Sequence, residues 1–350
     1  MPEDKMRRGL EYRSFVRKKI YFLIFLFLFT IVVFLLAIAL GSSSVSLGRV
    51  LRTLFGHGEK KDSIIILSIR LPRAVTAIAA GFGLGIVGCV MQSVLRNPLA
   101  SASTIGVSQG AAFGAAFAII AMGGGMMSAG STGAQLNVNN PVVTTLCAFF
   151  FAMVSTIFVL CLSRFREINA STLVLAGVAL SSLFSAGTTL LEYFADDVRV
   201  AAVVYWTFGD LGSTFWKEII VMGTVVVFAA IYFQLNSWNY NAMQGGEETA
   251  KGLGVKTQST ILCSMVVGSF TAAVIISFVG LIAPHLVRKF VGSDYRYLLP
   301  AAGLAGANLL LVSDLLSRLI ISPIVLPIGA ITSILGAPVF LWIILKRGRH

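Results

Sequence analysis

Few side chains in this sequence are placed to do chemistry. The three histidines, His57, His285 and His350, match no metal-ligand spacing. The four cysteines all lie inside apolar runs, and no two of them form a C-x-x-C pair. No nucleophile is paired with a base in a way that indicates catalysis. We therefore expect no catalytic residue, no metal site and no cofactor, and we interpret the cysteines as small buried hydrophobic side chains.

Residues that could couple an energy source to the movement of a solute are also scarce. The sequence contains no G-x-x-x-x-G-K-[ST] phosphate loop, so we do not expect the chain itself to hydrolyse ATP. The acidic residues within apolar runs are Glu192 and Asp314, and both lie towards the ends of their runs. A carrier driven by an ion gradient usually buries acids near the middle of the bilayer. The pattern favours a separate ATPase partner, and an ion-coupled secondary carrier is the alternative.

The composition predicts that these residues belong to an all-α integral membrane protein. Of the 350 residues, 57% are hydrophobic and 12% are charged, whereas a soluble domain carries about 25% charged residues. The net charge of +12 does not indicate a nucleic-acid partner, because the basic residues stand at the ends of apolar segments. Runs of about 20 apolar residues cross a bilayer as helices.

Nine long apolar runs are visible in the sequence. They cover residues 20–40, 74–93, 103–122, 141–163, 173–195, 219–235, 259–278, 298–319 and 324–345. Residues 1–19 and the last residues of the chain are both rich in Lys and Arg, which is typical of cytoplasmic segments. An even number of spans is needed to bring both ends to the cytoplasm. We predict about ten spans, with a short additional one at Leu281–Phe290, and a single membrane domain over residues 20–350 that follows a basic cytoplasmic segment over residues 1–19.

Loop charges agree with ten spans, with one exception. Loops assigned to the cytoplasm contain basic residues such as Arg96, Lys251 and Lys256, whereas the external loop 123–140 carries no charge. The first external loop, residues 41–73, breaks the trend because it contains six basic residues. This excess is either an error in the topology or positive charge that has a function.

A weak internal repeat accompanies a large number of small residues. Val87-Gly88 precedes Arg96 by the same spacing at which Val279-Gly280 precedes Arg288. Duplicated halves are common in transporters. Many of the 34 glycines lie within apolar runs, where small residues let helices approach closely.

Four blocks of sequence follow one another in an order that is highly specific. The first contains Arg70-Leu71-Pro72-Arg73, Gly88–Gln92, Arg96–Ala100 and Gly106–Ala111; the second contains Leu175–Ala179, Tyr205-Trp206 and Gly209; the third is Ala250–Val255; and the fourth contains Gly280–Arg288, Asp314–Arg318, Leu326–Gly329 and Gly336–Pro338. In this order they resemble the permease family of type II ABC importers for iron chelates, haem and cobalamin. The resemblance covers residues 70–347, and the long basic N-terminus and the uncharged loop 123–140 depart from it.

The resemblance implies a function and a set of partners. The chain would be the permease subunit of an importer that moves an iron-siderophore complex, or haem or cobalamin, across the inner membrane into the cytoplasm. Its partners would be a second copy of the permease, as a homodimer, two cytoplasmic ATPase subunits and an external substrate-binding protein. The pathway in this family makes few specific contacts, so the sequence does not identify the cargo.

The resemblance also assigns a role to the basic residues of the first external loop. Arg70, Arg73 and Arg318 would face the external surface, where the matching arginines of the family receive glutamates from the two lobes of the binding protein. Arginine suits this role because its planar fork grips a carboxylate through two hydrogen bonds. The alternative is that these arginines anchor helix ends at the lipid headgroups.

The loop at about residues 240–256 is the candidate coupling segment, which would dock into a cleft of the ATPase. Its candidate residues are Glu247, Ala250, Lys251, Leu253 and Gly254. Ala250 and Leu253 are three residues apart, so we expect them to share a face of a short helix that ends at Gly252 or Gly254. The alternative is an ordinary solvated loop.

Ser171 and Thr172 open the fifth span on the cytoplasmic side. Either they cap that helix or, by the resemblance, they lie near the cytoplasmic gate.

Overall fold

The computed structural model describes residues 2–41, 45–97, 100–123, 125–130, 133–138, 141–165, 170–212, 214–280, 293–322 and 324–347. Within these ranges the chain forms fourteen α-helices. They are α1 (Pro2–Ala39), α2 (Leu47–Leu54), α3 (Lys60–Ser63), α4 (Leu71–Val94), α5 (Val107–Ile120), α6 (Pro141–Phe165), α7 (Ala170–Tyr193), α8 (Asp197–Phe208), α9 (Trp216–Leu235), α10 (Ser237–Gln244), α11 (Glu247–Gly252), α12 (Thr257–Val279), α13 (Tyr295–Leu319) and α14 (Ile328–Arg347).

Each of the nine apolar runs of the sequence falls wholly or largely on one of these helices, which confirms the helical membrane fold. Among the described residues, seven helices are long and apolar enough to cross a membrane, and two further apolar helices, Val107–Ile120 and Ile328–Pro338, are shorter. The helical form follows from the solvent, because backbone N–H and C=O groups find no partner in lipid outside a helix or a closed barrel. The proposed tenth span at 281–290 lies outside the described residues, so the count of ten stays a prediction.

The basic segment at the start of the chain is continuous with the first span. Helix α1 runs from Pro2 to Ala39 without interruption. The boundary placed at residue 19 is therefore a change in composition within one helix. The cytoplasmic location of this end stays a prediction.

The segment expected as the first external loop is largely helical. Residues Lys60–Val94 form one continuous helical stretch, in which Ile64–Arg70 is π-helical. Pro72 follows after Leu71, and its ring cannot accommodate a normal α-helical bond to the carbonyl four residues earlier. A π-turn at this place widens the helix, and such turns are frequent at functional sites.

The uncharged segment 123–140 contains a small hairpin instead of an irregular loop. Strand β1 (Gly125–Gly130) pairs antiparallel with strand β2 (Gly133–Val138), with Gly125 opposite Val138 and Gly130 opposite Gly133. This pair joins α5 to α6 and leaves the helical class unchanged.

Two close helix pairs form much of the centre of the bundle. Helix α4 packs antiparallel on α13, and a Cβ atom added at Gly81 would lie 2.4 Å from the carbonyl oxygen of Gly306. Helix α5 packs on α6 in the same way, because a Cβ atom at Gly114 would lie 2.2 Å from the carbonyl oxygen of Cys147. The prediction that glycines bring helices together is thereby confirmed at these positions.

The described residues include only part of the second half of the proposed internal repeat. Val87 and Gly88 are buried inside α4, seven and six residues before its end, whereas Val279 ends α12 and Gly280 caps it. These two dipeptides therefore occupy different places in their helices. Arg288 lies outside the described residues, so the repeat stays a prediction.

Candidate functional site

Two arginines from different helices bind one buried carboxylate, and a third arginine lies beside them at the end of α1. Asp314 in α13 is 0% exposed, and its Oδ1 atom is 2.5 Å from Nε of Arg73 in α4. Its Oδ2 atom accepts a hydrogen bond of 2.8 Å from Nη2 of Arg318, one helical turn later. A carboxylate held between two guanidinium groups pairs each of its oxygens with a charged donor. We call Arg70, Arg73, Arg318, Asp210 and Asp314 the arginine cluster.

Two arginines of the cluster also donate hydrogen bonds to carbonyl oxygens at the end of α1. Nη1 of Arg70 donates to the carbonyl oxygens of Ile38 and Ala39, at 2.9 and 2.8 Å. Arg318 donates to the carbonyl oxygens of Ala37 and Leu40, at 3.0 and 3.2 Å. The last carbonyls of a helix have no partner inside it and carry partial negative charge. Two arginines from other helices satisfy them here.

A fourth part of the chain reaches the cluster through Asp210. Its Oδ1 atom lies 3.7 Å from Nη1 of Arg73, and its backbone N–H donates to the carbonyl oxygen of Val279 at 3.0 Å. Directly after Val279, Gly280 has φ of +85° and approaches Gly209 so closely that a Cβ atom would lie 2.6 Å from its Cα atom. The backbone conformation and the space both require glycine at this position. Arg73 therefore connects α4, α13 and the turn beside the end of α12.

The arginines of the cluster are engaged within the chain. The side chains of Arg73 and Arg318 are each 11% exposed, and Arg70 is 5% exposed. The cluster holds three positive and two negative groups, and Nη2 of Arg73 is buried with no hydrogen-bond partner among the described residues. The geometry brings the three predicted docking residues to one place, and it shows that they also join helices. Their role in docking stays a prediction.

The candidate coupling segment forms two short helices, α10 and α11, between the spanning helices α9 and α12. The prediction that Ala250 and Leu253 share a face is wrong: Ala250 is 0% exposed, whereas Leu253 is 58% exposed. Helix α11 ends at Gly252, so Leu253 is its C-cap, and Gly254 follows with φ of +82°. The three-residue spacing rule applies inside a helix, and it fails here because Leu253 has left the helix.

The charged residues of α11 contact one another and neighbouring helices. The Glu247 carboxylate lies 3.4 Å from Nζ of Lys251, 3.9 Å from Nη2 of Arg96 and 3.4 Å from Oγ1 of Thr257. Hydrogen bonds to Glu248 and Glu247 raise the pKa of Lys251. These pairs are exposed and individually weak, because water screens the attraction between charges at the surface. Glu247 thus faces the end of α4 and the start of α12, while Glu248 and Leu253 face outward.

Helix α10 is held against the start of α13 by hydrogen bonds of Asn241, a residue that the sequence analysis did not single out. Nδ2 of Asn241 donates to Oδ1 of Asp294 at 3.0 Å, and Oδ1 of Asn241 accepts the backbone N–H of Tyr295 at 2.8 Å. Gln244 donates to the carbonyl oxygen of Ser293. Hydrogen bonds from Arg296 and Asn241 lower the pKa of Asp294 to about 2, against the effect of burial. Asp294 is the N-cap of α13, and an Asp shortly before an apolar run is a helix-start signal that the sequence did contain.

The candidate gate residues lie at the start of α7. The helix begins at Ala170, one residue before Ser171. Thr172 is exposed, and the side chain of Ser171 lies outside the described residues. No described group of three or more His, Cys, Asp or Glu residues could hold a metal ion. His285 and His350 lie outside the described residues.

Comparisons with known proteins agree over nearly the whole chain. A model of the FecCD transport family matches residues 29–346. A protein named as an ABC transporter permease in Methanocaldococcus jannaschii is 47% identical over 96% of this chain and 97% of its own length. The hemin transport system permease protein of Yersinia pestis is 34% identical over 91% of this chain and 94% of its own length.

A relative with a different cargo and a solved structure extend the comparison. The vitamin B12 import system permease protein of Escherichia coli is 35% identical over 83% of this chain and 86% of its own length. A solved structure described as a metal-chelate type ABC transporter in an inward-facing conformation superposes with a TM-score of 0.80 at 27% identity. It covers 93% of this chain and 98% of that chain.

Proposed function

The chain belongs to the FecCD transport family, and from that premise we propose that it forms the membrane pathway of an importer whose partner subunits hydrolyse ATP. It is a permease of an ABC importer and a multi-span membrane protein. The ATPase activity is assigned to two cytoplasmic subunits, because the sequence has no phosphate loop. Both termini and the coupling segment are assigned to the cytoplasm, on the basis of their basic residues.

One structural observation carries the assignment of the ATPase contact. Helices α10 and α11 connect α9 to α12, and the exposed residues on α11 and directly after it include Glu248, Lys251 and Leu253. Ala250 in the same helix is fully buried, so α11 packs against the rest of the chain while these three residues remain exposed. A large exposed apolar side chain among charges on a membrane protein's aqueous face suits a protein partner. Glu247 contacts Arg96 and Thr257, and Gly254 turns the chain after α11 through its positive φ, so both residues are proposed to hold this surface in place.

The cargo is proposed to be a bulky metal chelate. Two relatives that cover most of the chain are named for transport of hemin and vitamin B12, and the similar solved structure is described as of the metal-chelate type. An iron-siderophore complex, haem and cobalamin all belong to this class. Binding measurements on the external partner protein would distinguish them.

A second copy of the chain would complete the pathway as a homodimer. Among the described residues of α7, only 22% of the most apolar stretch is buried in the chain. Its exposed face carries Ser182, Ser185 and Thr189 among leucines and valines. The hydroxyl groups of Ser182 and Thr189 donate to carbonyl oxygens of their own helix, so this face can border either lipid or another helix. Ser171 and Thr172, at the start of α7, are proposed as part of the cytoplasmic gate.

The arginine cluster is proposed to receive the external binding protein. Its surplus positive charge suits incoming carboxylates, and the buried Nη2 of Arg73 is a donor that such a carboxylate could use once it displaces a present partner. Such carboxylates would compete with Asp314 and the α1 carbonyls for the same guanidinium groups. The pairing of Asp314 with two arginines also argues against the alternative of an ion-coupled carrier, because this acid is already neutralised.

The test of the ATPase contact uses Leu253→Asp. A charge at this exposed position should weaken retention of the ATPase subunit without unfolding the chain, and cargo uptake should fall at least about tenfold, which corresponds to about 1.4 kcal/mol. Phe55→Asp is the matched control, since Phe55 is 76% exposed and lies far from the coupling segment in sequence. Normal ATPase retention and normal uptake by Leu253→Asp would reject the proposed contact.

A further inference from the structure

We infer that α4 and α13 move together as one rigid unit, which we call the strut, between the two proposed docking surfaces. Asn241 is then the positioning residue that holds the coupling segment against the strut. The inference rests on the proposed function, because it assumes partners at both ends. Its evidence is a set of contacts at the middle, at one end and at the other end of the same helix pair.

The middle of the pair is joined backbone to backbone. A Cβ atom at Gly306 would lie 2.1 Å from the carbonyl oxygen of Gly81, and one at Gly85 would lie 2.3 Å from the carbonyl oxygen of Ala302. Phe82 fills the space over Gly303. With no side chain between them, the two helices cannot slide or separate without losing dense packing. The spacing of these contacts shows that the helices are antiparallel.

One end of the pair is joined by charge. Arg73 of α4 pairs with Asp314 of α13 at 2.5 Å, in the arginine cluster. Asp314 is fully buried, so separation of this pair would leave an unpaired charge in a medium of low dielectric. The two helices therefore move together at the end proposed to receive the binding protein.

The other end of the pair is fastened to the coupling segment through Asn241. The amide of Asn241 uses its donor for Asp294 and its acceptor for the backbone N–H of Tyr295, which is the first residue of α13. On the same helix, the Tyr240 hydroxyl pairs with Ser264 at 2.8 Å, and its ring packs on Tyr295 at 5.6 Å between centroids. Only Gly245 and Gly246 separate α10 from α11.

These contacts form a continuous mechanical path. Helix α13 has 25 residues and therefore spans about 37 Å. A displacement of α11 by the ATPase is passed by α10 and Asn241 to Tyr295, and α13 and α4 carry it to Asp314. The cluster would then respond to the state of the ATPase without any contribution from the exposed helix α7.

The experiment uses the assembled transporter in lipid nanodiscs, with its ATPase subunits and its cargo-loaded binding protein. Asn241→Ala should leave basal ATP hydrolysis and docking of the binding protein within about twofold, and it should reduce the stimulation of hydrolysis by that protein at least fivefold. Asn239→Ala is the matched control, because Asn239 lies on the same helix and its amide donates to Asn236 at 2.9 Å instead of to α13. It should behave as the unmodified protein.

A pair of substitutions separates positioning from simple folding. Asn241→Asp should lose stimulation because two carboxylates then face each other, and the double variant Asn241→Asp with Asp294→Asn should recover it, because donor and acceptor are exchanged while Asn still caps the helix. Full stimulation in Asn241→Ala, or loss of basal hydrolysis and docking together without recovery in the double variant, would overturn the inference. Absence of stimulation in the unmodified transporter would instead reject the proposed function.

Discussion

Helices α4 and α13 differ from α7 in how a spanning helix uses the same kinds of residue. In the most apolar stretches of α4 with its preceding turn and of α13, 72% and 67% of the residues are buried in the chain, against 22% in α7. All three helices are rich in small and aliphatic side chains. In α4 and α13 the glycines face each other, whereas much of the surface of α7 is left uncovered.

The difference shows that α4 and α13 are held together within one chain, whereas the surface of α7 is left for lipid or another protein to cover. Apolar side chains gain little by leaving lipid for protein, so close packing and ion pairs hold α4 to α13. The exposed face of α7 is not packed against other described parts of the chain.

The largest effect is expected at the buried carboxylate of the strut. Asp314→Ala leaves Arg73 and Arg318 buried without their shared partner, and removal of one partner of a buried pair costs about 3–5 kcal/mol. The midpoint of thermal unfolding in detergent should fall strongly. Asp197→Asn, at an exposed position in α8, is the control and should leave it unchanged. An unchanged midpoint in Asp314→Ala would mean that the cluster does not hold the helices together.

Two leucines compare the helices directly. Leu84 in α4 is 6% exposed and Leu183 in α7 is 66% exposed. Leu84→Ala should cost about 2–5 kcal/mol through the cavity that it leaves, whereas Leu183→Ala should hardly change the stability of the single subunit. Denaturant titration in detergent would measure both. Equal losses would break the contrast, and a loss confined to dimers in Leu183→Ala would show that a second copy covers α7.

A smaller effect is expected from one methyl group in the helix contact. Gly306→Ala places a Cβ atom against the carbonyl oxygen of Gly81, and overpacking of this kind costs about 1–3 kcal/mol. Gly223→Ala in α9 adds the same methyl group where no atom lies within 4 Å. The thermal midpoint should fall only in the first variant. Tolerance of Gly306→Ala would show that the two backbones can move apart.

The smallest effect concerns pH at the end of the strut where Asp294 lies. The pKa of Asp294 is lowered from 3.8 to about 2, so its ionised form stabilises the folded chain above pH 4 and this contribution is lost as the pH falls through 2. Asp294→Asn should therefore cost about 1 kcal/mol at pH 7, after allowance for partial exposure. The difference between the two proteins should vanish near pH 2. A difference that does not change with pH would assign the effect to helix capping alone.

Sequence reasoning succeeded wherever length and charge decide the structure. The nine apolar runs all became helices, and the family was identified from the order of short blocks such as Arg70–Arg73 and Leu326–Gly329. It failed where a short element depends on its last residue. Ala250 and Leu253 were expected on one face, and the end of α11 at Gly252 separates them. It also gave no sign of Asn241, because one polar residue in a polar loop carries no signal of its own partner.

The amino-acid sequence by itself determined that the chain crosses a membrane as helices, because bilayer thickness sets the length of each apolar run and lipid offers the backbone no hydrogen bonds. It also determined the transport family. Only the tertiary structure decided that Arg73 pairs with Asp314, 241 residues away, and that α4 is buried while α7 is exposed. The reason is that lipid-facing and protein-facing sides of a membrane helix are both apolar, so rotation and register are set by close packing and buried charge rather than by hydrophobic pattern.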